Sequence, residues 1–279
     1  MIADPQRPPK AGSMGIRRSD ELRLRARSLY LGLLKPPVLR RRHFDGVLAT
    51  MPQSGTTWTM YLLTLTLAKL NDLPPPLYIQ DRSILRSSVH SQIPRIFHTF
   101  RVPHYLLRSR TLFRLLHFPK HLILVRDLRD ALVSHYEKRK DEYGVDFSTY
   151  LRGDARGKLY RHDIWMRIQF LNGWGAFAER HPEQAAVLKY EDLKADTRGQ
   201  LARICDYFNI EGVTPELLDE VVAAATKAEM AKRLKPGKTT TPVRMDPRPA
   251  DEWYTDEDRR FVAEVLRRNL KHTFGYQYW

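Results

Sequence analysis

Short β-type runs alternate with longer helical patterns between residues 46 and 270. When a helix connects two strands of one sheet, the strands pair in parallel, and the helix covers a face of the sheet. Parallel strands are buried on both faces, so they read as continuous apolar runs rather than as alternating ones. The alternation therefore predicts an α/β fold with a central parallel sheet flanked by helices.

Four apolar or β-branched runs are predicted to form the strands: residues 46–51, 95–100, 121–125 and 186–189. Six segments with apolar residues at helical spacing are predicted to form the main helices: residues 57–70, 128–140, 160–181, 198–208, 215–232 and 255–270. A further helix is predicted from Ser19, which can cap it. Because 42% of the 279 residues are hydrophobic and no linker divides the chain, we expect one domain over residues 19–279.

The front of the chain is strongly basic. Residues 1–18 are rich in Pro, Gly, Arg and Lys without periodicity, and they are predicted to form a disordered basic leader. The net charge is +15 for the whole chain. The basic N-terminal part predicts peripheral contact with acidic surfaces or, alternatively, a solvated basic face. No nucleic-acid-binding motif accompanies it, so we expect no nucleic-acid partner.

The single cysteine and the absence of long apolar segments indicate which cofactors and which cellular location to expect. Cys205 is the only cysteine, which excludes an intramolecular disulfide. It shares a helical stripe with Leu201, Ile204 and Phe208, so we expect a buried packing role rather than a catalytic thiol. No residue cluster has the spacing of metal ligands, and we expect no metal. Without an apolar run suited to a signal peptide or a membrane span, the protein is expected to be cytoplasmic.

The first predicted strand runs into Pro52-Gln53-Ser54-Gly55-Thr56-Thr57-Trp58 and then into a helix. A turn of small residues before a helix leaves backbone N–H groups unpaired at the positive end of the helix dipole, and such a turn binds phosphate. Simple helix capping would explain the Ser and Thr residues separately, but not the whole string. The G-x-x-x-x-G-K-[ST] spacing of ATP- and GTP-hydrolysing proteins is absent. We therefore predict a P-loop-like phosphate site of another kind.

This string resembles the Pro-Lys-Ser-Gly-Thr-Thr-Trp loop of sulfotransferases that use 3′-phosphoadenosine 5′-phosphosulfate (PAPS). The resemblance implies that Ser54, Gly55, Thr56 and Thr57 bind the 5′-phosphate and that Trp58 packs on the adenine. Gln53 stands where the family has a lysine that stabilises the leaving phosphate. Glutamine donates hydrogen bonds but carries no charge. Loss of a preorganised electrostatic donor typically costs about 3 kcal/mol of transition-state stabilisation.

A second segment of the same family is matched by the strand that ends at Arg126 and the helix that follows it. By resemblance, Arg126 and Ser134 bind the 3′-phosphate. The chemistry is suitable, because a guanidinium binds phosphate through two parallel hydrogen bonds. Taken alone, Arg126 could instead pair with Asp127 or Asp130.

Weaker matches follow downstream, and the resemblance covers residues 46 to 255. It places Tyr190 near the adenine. It also matches the segment that begins at Thr226, Thr-Lys-Ala-Glu-Met, to a Thr-Ser-Phe-Lys-x-Met element of the family, which is one residue shorter here. It matches Arg244 to the arginine of a C-terminal phosphate-binding lid. In that lid Met245 and Asp246 replace a Lys-Gly pair, and Arg248 is a candidate substitute. Independently of the resemblance, residues 235–251 carry four prolines and little apolar content, and they are predicted to form a long functional loop or lid.

The second predicted strand, residues 95–100, is similar to the family's Lys-Thr-His strand. In that register His98 stands at the lysine position and Phe100 at the catalytic histidine position. Side chains of a strand alternate, so His98 and Phe100 project to one face. An unperturbed imidazole titrates near pH 6.5, and His98 is predicted to be the base that activates the acceptor. His104, a carboxylate or no base at all are the alternatives.

The sequence as a whole predicts a PAPS-dependent sulfotransferase that releases 3′,5′-bisphosphoadenosine (PAP) and requires no metal. Its acceptor is expected to be a small molecule with a hydroxyl or amine. Residues 73–93, 103–113 and 142–160 are predicted to line the acceptor pocket, and their aromatic and leucine content favours an apolar or amphipathic acceptor. A catalytically silent nucleotide-binding protein and a nucleotide kinase-like phosphotransferase are the competing hypotheses.

Overall fold

The computed structural model describes residues 43–86, 92–153, 160–235 and 248–278, together with Leu22 and Ala26. The predicted leader, most of the helix predicted from Ser19, and the centre of the predicted lid with Arg244 lie outside these residues. Leu22 and Ala26 are both helical.

Four strands form one parallel sheet: β1 (Gly46–Thr50), β2 (Ile96–Thr99), β3 (Lys120–Val125) and β4 (Ala185–Lys189). Their order is β2-β1-β3-β4, and Leu48 of β1 stands opposite His98 on one side and Leu122 on the other. The chain therefore leaves β1 toward one edge of the sheet and leaves β3 toward the other. A crevice opens at the carboxyl ends of two such strands, and it is the usual ligand site of this architecture.

The helices of the described residues are, in chain order, α1 (Thr56–Leu70), α2 (Ser83–Arg86), α3 (Arg110–Leu115), α4 (Leu128–Tyr143), α5 (Phe147–Arg152), α6 (Ile164–Arg180), α7 (Tyr190–Ala195), α8 (Thr197–Tyr207), α9 (Pro215–Ala224), α10 (Lys227–Lys232) and α11 (Asp256–Asn269). Two 3₁₀ turns lie at Tyr105–Arg108 and Ala250–Trp253.

Helices cover both faces of the sheet. Ile123 and Val125 of β3 pack into one apolar cluster with α4, α6 and α11. Leu122 and Leu124, which project to the opposite face, pack into a second cluster with α1, α8 and α9. Both faces of β3 are thus buried, which explains its uninterrupted apolar sequence. The predicted α/β fold with a helix-flanked parallel sheet is confirmed.

Two of the predicted helices depart from the structure by more than three residues. The helix predicted from residue 160 begins at Ile164, because the Asp163 side chain accepts the Met166 N–H and caps it there. The helix predicted over residues 215–232 is interrupted, and Thr226 caps a new helix by accepting the Glu229 N–H. In both places a polar side chain bonds to the backbone and ends the regular pattern.

Cys205 is fully buried on α8, and burial raises the pKa of its thiol to about 12. The predicted packing role is confirmed. No helix within the described part of the chain is long and apolar enough to cross a membrane. The described residues also contain no group of three or more His, Cys, Asp or Glu side chains that could hold a metal ion.

Candidate functional site

The crevice at the ends of β1 and β3 is formed by residues 51–55 on one side and by Arg126 on the other. Gly55 precedes α1 with φ 89°, which L-residues adopt at a cost. A Cβ at this position would lie 2.7 Å from Cδ2 of Tyr190. Gly55 makes no side-chain capping bond to the N-terminus of α1. The first-turn N–H groups therefore carry the partial positive charge of the helix end and are suited to an anion.

Two of the hydroxyl groups that were predicted to bind phosphate instead donate hydrogen bonds to other groups of the protein. The Ser54 hydroxyl is buried and donates to the carbonyl oxygens of Met51, at 2.6 Å, and Leu124, at 3.3 Å. The Thr56 hydroxyl donates to Oγ1 of Thr50 at 2.8 Å. These bonds fix the loop onto β1 and β3.

Arg126 contacts both the loop and Tyr190, and it also pairs with Asp130. Its Nη1 donates to the Gln53 carbonyl at 3.2 Å, and its guanidinium lies 4.5 Å from the centre of the Tyr190 ring. Its Nη2 is 3.4 Å from Oδ2 of Asp130. Asp127 instead pairs with Arg129 and caps α4. The Nε atom of Arg126 is buried and has no hydrogen-bond partner in the described structure. Its N–H group is therefore available to donate to a ligand.

An aromatic pair lies beside the loop. Trp58 and Tyr190 meet edge to face with ring centres 6.3 Å apart. Trp58 Nε1 donates to the Ala225 carbonyl at 3.0 Å, which brings the neighbouring Thr226 to this side of the molecule. Ser134 is half-buried on α4. Of the predicted nucleotide contacts, the loop, Arg126, Tyr190 and Trp58 are thus joined by direct contacts. Arg244 lies outside the described residues.

Gln53 also has a left-handed backbone, with φ 65°. Its Nε2 lies 3.5 Å from Nδ1 of His135, whose Nε2 is 2.8 Å from the Tyr143 hydroxyl. An amide nitrogen only donates, so Nδ1 is the acceptor and Nε2 carries the proton. Burial, assisted by Arg167, lowers the pKa of His135 to about 2. The group behind Gln53 is therefore a neutral imidazole.

His98 belongs to a chain of hydrogen bonds that begins at the loop. Its Nε2 is 2.8 Å from Oγ1 of Thr50, and its Nδ1 is 3.3 Å from Nη1 of Arg82. A guanidinium only donates, so Nδ1 accepts and the ring is neutral with the proton on Nε2. Burial and the charges of Arg82 and Arg86 lower the pKa of His98 to about 3. The lone pair that a base would use is occupied by Arg82.

The rival histidine has a local role. Nδ1 of His104 accepts the Leu106 N–H at 3.3 Å and caps the 3₁₀ turn that follows. This contact orients the His104 ring toward its own backbone.

Sequence reasoning missed Arg167, which is fully buried on α6. Its guanidinium donates to the carbonyl oxygen of Pro52 in the loop and, at 3.1 Å, to that of Ala131 on α4. Burial lowers its pKa. A charged residue inside the apolar run Ile164-Trp165-Met166-Arg167-Ile168 was the available signal, because a buried charge requires dedicated partners.

A second missed residue is His162, which adopts a left-handed backbone with φ 57°. Its ring lies 5.8 Å from that of Phe100 and 5.5 Å from that of His135. Its Nδ1 is buried without a hydrogen-bond partner among the residues described. Burial and Arg167 lower its pKa to about 4. Its neighbours in sequence gave no indication of this position.

Comparison with known proteins agrees with this geometry. Residues 44–253 match the family model of the sulfotransferase domain. Sulfotransferase 2A6 of Mus musculus is 28% identical over 196 residues, covering 64% of this chain and 63% of the relative. Sulfotransferase 2A2 of Rattus norvegicus is 32% identical over 184 residues, covering 58% of each. The matched segment thus spans less than two thirds of the length of these relatives.

Solved structures share the fold. A retinol dehydratase, crystallised with androsterone and the inactive cofactor PAP, superposes with a TM-score of 0.59 at 18% identity, covering 92% of this chain and 88% of that one. At this identity the likeness concerns the fold alone. The family model, however, spans most of the chain, including the loop, Arg126 and Tyr190. This protein therefore belongs to the sulfotransferase domain family.

Proposed function

We propose that this protein transfers a sulfuryl group from PAPS to a hydroxyl or amine of a small-molecule acceptor and releases PAP. One observation carries the proposal: the open N-terminus of α1, the Arg126 guanidinium and the Trp58–Tyr190 pair surround one crevice at the ends of β1 and β3. Those three features are an anion site, a cation and an aromatic wall. An adenosine with phosphates at both ends requires this combination.

The residues present are chemically suited to such a nucleotide. The first-turn N–H groups of α1 would hold the 5′-phosphate. Arg126, whose Nε has no partner in the described structure, would bind the 3′-phosphate together with Ser134. Trp58 and Tyr190 would flank the base. When bound, PAPS supplies an activated sulfuryl group attached to a phosphate leaving group.

The protein's contribution is positioning and electrostatics. The loop is fixed by buried bonds from Ser54, Thr56 and Arg167, so its N–H groups are preorganised for a phosphate. Preorganisation of this kind holds reacting groups in line and lowers the barrier without reorganisation during the reaction. Gln53 contributes an amide hydrogen bond but no charge.

His98 is our proposed base for the acceptor hydroxyl. Its ring is neutral, which a base requires, and Phe100 packs edge to face against it at 4.4 Å between ring centres. Phe100 also contacts His162, so an apolar wall stands between the two histidines. This wall supports the proposal of an apolar or amphipathic acceptor. Proton transfer to Nδ1 requires that Arg82 turn away from it.

Gln53 favours a second candidate, a protein that binds PAPS without turnover. Neither Gln53 nor the His135 ring behind it carries a charge. The leaving 5′-phosphate would then be stabilised by the backbone dipoles of the loop rather than by a charged side chain at residue 53. Binding measured together with turnover distinguishes this candidate from an active enzyme.

The decisive experiment compares the thermal stabilisation of the protein by PAP, AMP and ATP, followed by turnover of PAPS with a panel of hydroxyl and amine acceptors. We expect PAP to stabilise the fold much more than AMP, because only PAP carries a 3′-phosphate. Equal stabilisation by PAP and AMP would contradict the proposal. Strong PAP binding without turnover across the panel would support the silent protein.

A further inference from the structure

A cleft of about 460 Å³ lies at the far side of His98 from the phosphate loop, lined by Gln80, Asp81, Arg82, Ser83 and Arg86. These residues come from the segment that joins α1 to β2 and from the short α2. The lining is polar and carries two guanidinium groups. A cleft of this composition is suited to a charged group rather than to an apolar one.

Arg82 is a half-buried cation that forms no ion pair with any residue in the described ranges. Its Nη1 donates to His98, and its Nε is buried without a hydrogen-bond partner in the part of the chain that the structure describes. Burial first, and then the charge of Arg86, lower the pKa of Arg82. Buried charges in proteins are ordinarily paired. The arrangement therefore places two like charges at one cleft and leaves the more buried one with donors to spare.

The side chains around Arg82 do not neutralise it. The Asp81 carboxylate accepts the Ser83 N–H at 2.9 Å, and no ion pair within the described ranges joins it to Arg82. Oε1 of Gln80 is also buried and unpartnered in the described structure. A carboxylate could bind two N–H groups of Arg82, and a polar hydrogen of the same ligand could reach Gln80.

The cleft is connected to the proposed reaction site through one imidazole. Arg82 donates to Nδ1 of His98, and Nε2 of His98 donates to Oγ1 of Thr50. The same Thr50 oxygen accepts the hydroxyl of Thr56 in the loop. Only the side chains of His98 and Thr50 therefore separate Arg82 from Thr56 of the phosphate loop. Its uncharged part would lie along His98 and Phe100, whose rings are in contact.

We propose that this cleft binds the anionic group of the acceptor, and that the preferred acceptor carries a carboxylate at one end and its reacting hydroxyl at the other. The inference rests on the proposed function and names the substrate class for it. Arg82 forms the bidentate contact, and the exposed Arg86 adds a second charge at the mouth of the cleft. The Phe100 wall accommodates the apolar body between the two polar ends.

The test uses para-hydroxyphenylacetate and its neutral counterpart para-hydroxyphenylacetamide, whose binding to the full chain is measured by calorimetry both without PAP and with PAP in excess. We expect the carboxylate to bind about tenfold or more tightly than the amide, because a charge-assisted bidentate contact is lost in the amide. Arg86→Gln and Arg82→Gln should each reduce this preference, and Arg82→Lys should retain part of it. Arg203→Gln, which removes the same charge from the distant α8, should leave it unchanged.

Equal binding of the acid and the amide, or no binding of either at millimolar concentration, overturns the inference. A preference that persists in both Arg82→Gln and Arg86→Gln overturns it as well, and it would indicate that the anion contacts another cation. Because binding is measured without PAPS turnover, failure of the inference can be distinguished from failure of the proposed function. If PAP fails to bind but the carboxylate preference is present, the proposed function fails alone. If PAP binds and the preference is absent, the inference fails alone.

Discussion

At the scale of single residues, Arg126 serves both the nucleotide and the loop. We expect Arg126→Gln to weaken PAP binding by about 1.5–3 kcal/mol, the range for a hydrogen bond to a charged group, and AMP binding far less. Because Nη1 of Arg126 also holds the Gln53 carbonyl, Ser134→Ala is the matched variant that leaves the loop intact. It should cost PAP about 1 kcal/mol and AMP nothing measurable. Calorimetric titration with both nucleotides checks this, and equal losses for both would contradict the assignment.

Gln53 provides a prediction about turnover. We expect Gln53→Lys to keep or raise kcat, because it restores a cation at the leaving phosphate. The backbone at residue 53 is left-handed, but neither side chain is β-branched, so the strain is similar in both. The lysine can also donate to Nδ1 of His135, as Gln53 does. Steady-state kinetics with PAPS checks this. A large fall in kcat at an unchanged Tm would show that the site is built around a neutral amide.

His98 and His162 can be distinguished by kinetics. If His98 accepts the acceptor's proton, we expect His98→Ala to lower kcat/KM by about a hundredfold or more, the usual contribution of a general base. PAP affinity should not change. Since the pKa of His98 is about 3, the profile should show no acidic limb from this group near pH 6.5. A loss below about tenfold would remove His98 from the mechanism. The assignment would then pass to His162, whose Nδ1 is buried and unpartnered in the described structure.

At the scale of elements, Arg167 joins α6, α4 and the loop. We expect Arg167→Met to lower the free energy of unfolding by about 1–3 kcal/mol, because the Pro52 and Ala131 carbonyls lose a buried donor. The same change should weaken PAP binding by loosening the loop. Arg167→Lys is the control, since an ammonium keeps the charge but lacks the planar fork that reaches both carbonyls. Urea unfolding and PAP titration check both variants. Unchanged stability together with unchanged PAP affinity would mean that Arg167 does not hold the loop.

The elements also show what the sequence could predict. The strands were predicted to within one residue at each end, because a parallel strand is a continuous apolar run whatever its neighbours. The loop and Arg126 could be proposed as site residues because their chemistry lies in adjacent residues of the sequence. Arg167 and Arg82 were not, since their partners Pro52 and His98 are set by the tertiary fold. The helix break at Thr226 was equally hidden, because a threonine caps a helix only where the chain turns.

At the scale of the whole molecule, buried neutral histidines make stability depend on pH. His135 is fully buried, and nearby cations (Arg167, Arg139 and Lys138) lower its pKa further, to about 2. An unfolded chain protonates this imidazole near pH 6.5, whereas the folded chain does not. The unfolded state therefore binds more protons below about pH 6.5, and stability falls as pH falls through that window.

The expected slope from His135 alone is about 1.4 kcal/mol per pH unit between about pH 6 and pH 4.5, where most carboxylates remain ionised. Urea unfolding at several pH values measures it. His135→Phe should reduce the slope by that amount, because it removes the titrating group while keeping an aromatic ring. An unchanged slope in His135→Phe would show that this imidazole is not held neutral in the fold.

The strand order described above also determines how the chain can reach its fold. Gly46 pairs with Ile96 and with Lys120, and His121 pairs with Ala185. Every strand pair thus joins residues at least 50 positions apart, and an all-parallel sheet contains no hairpin that could form early. To form such long-range contacts, the chain must first lose the entropy of closing large loops, and only then does strand pairing lower the free energy. Folding is therefore slow. While the sheet is incomplete, the apolar strands β1 and β3 are exposed together, and that interval is when the chain is most prone to aggregate.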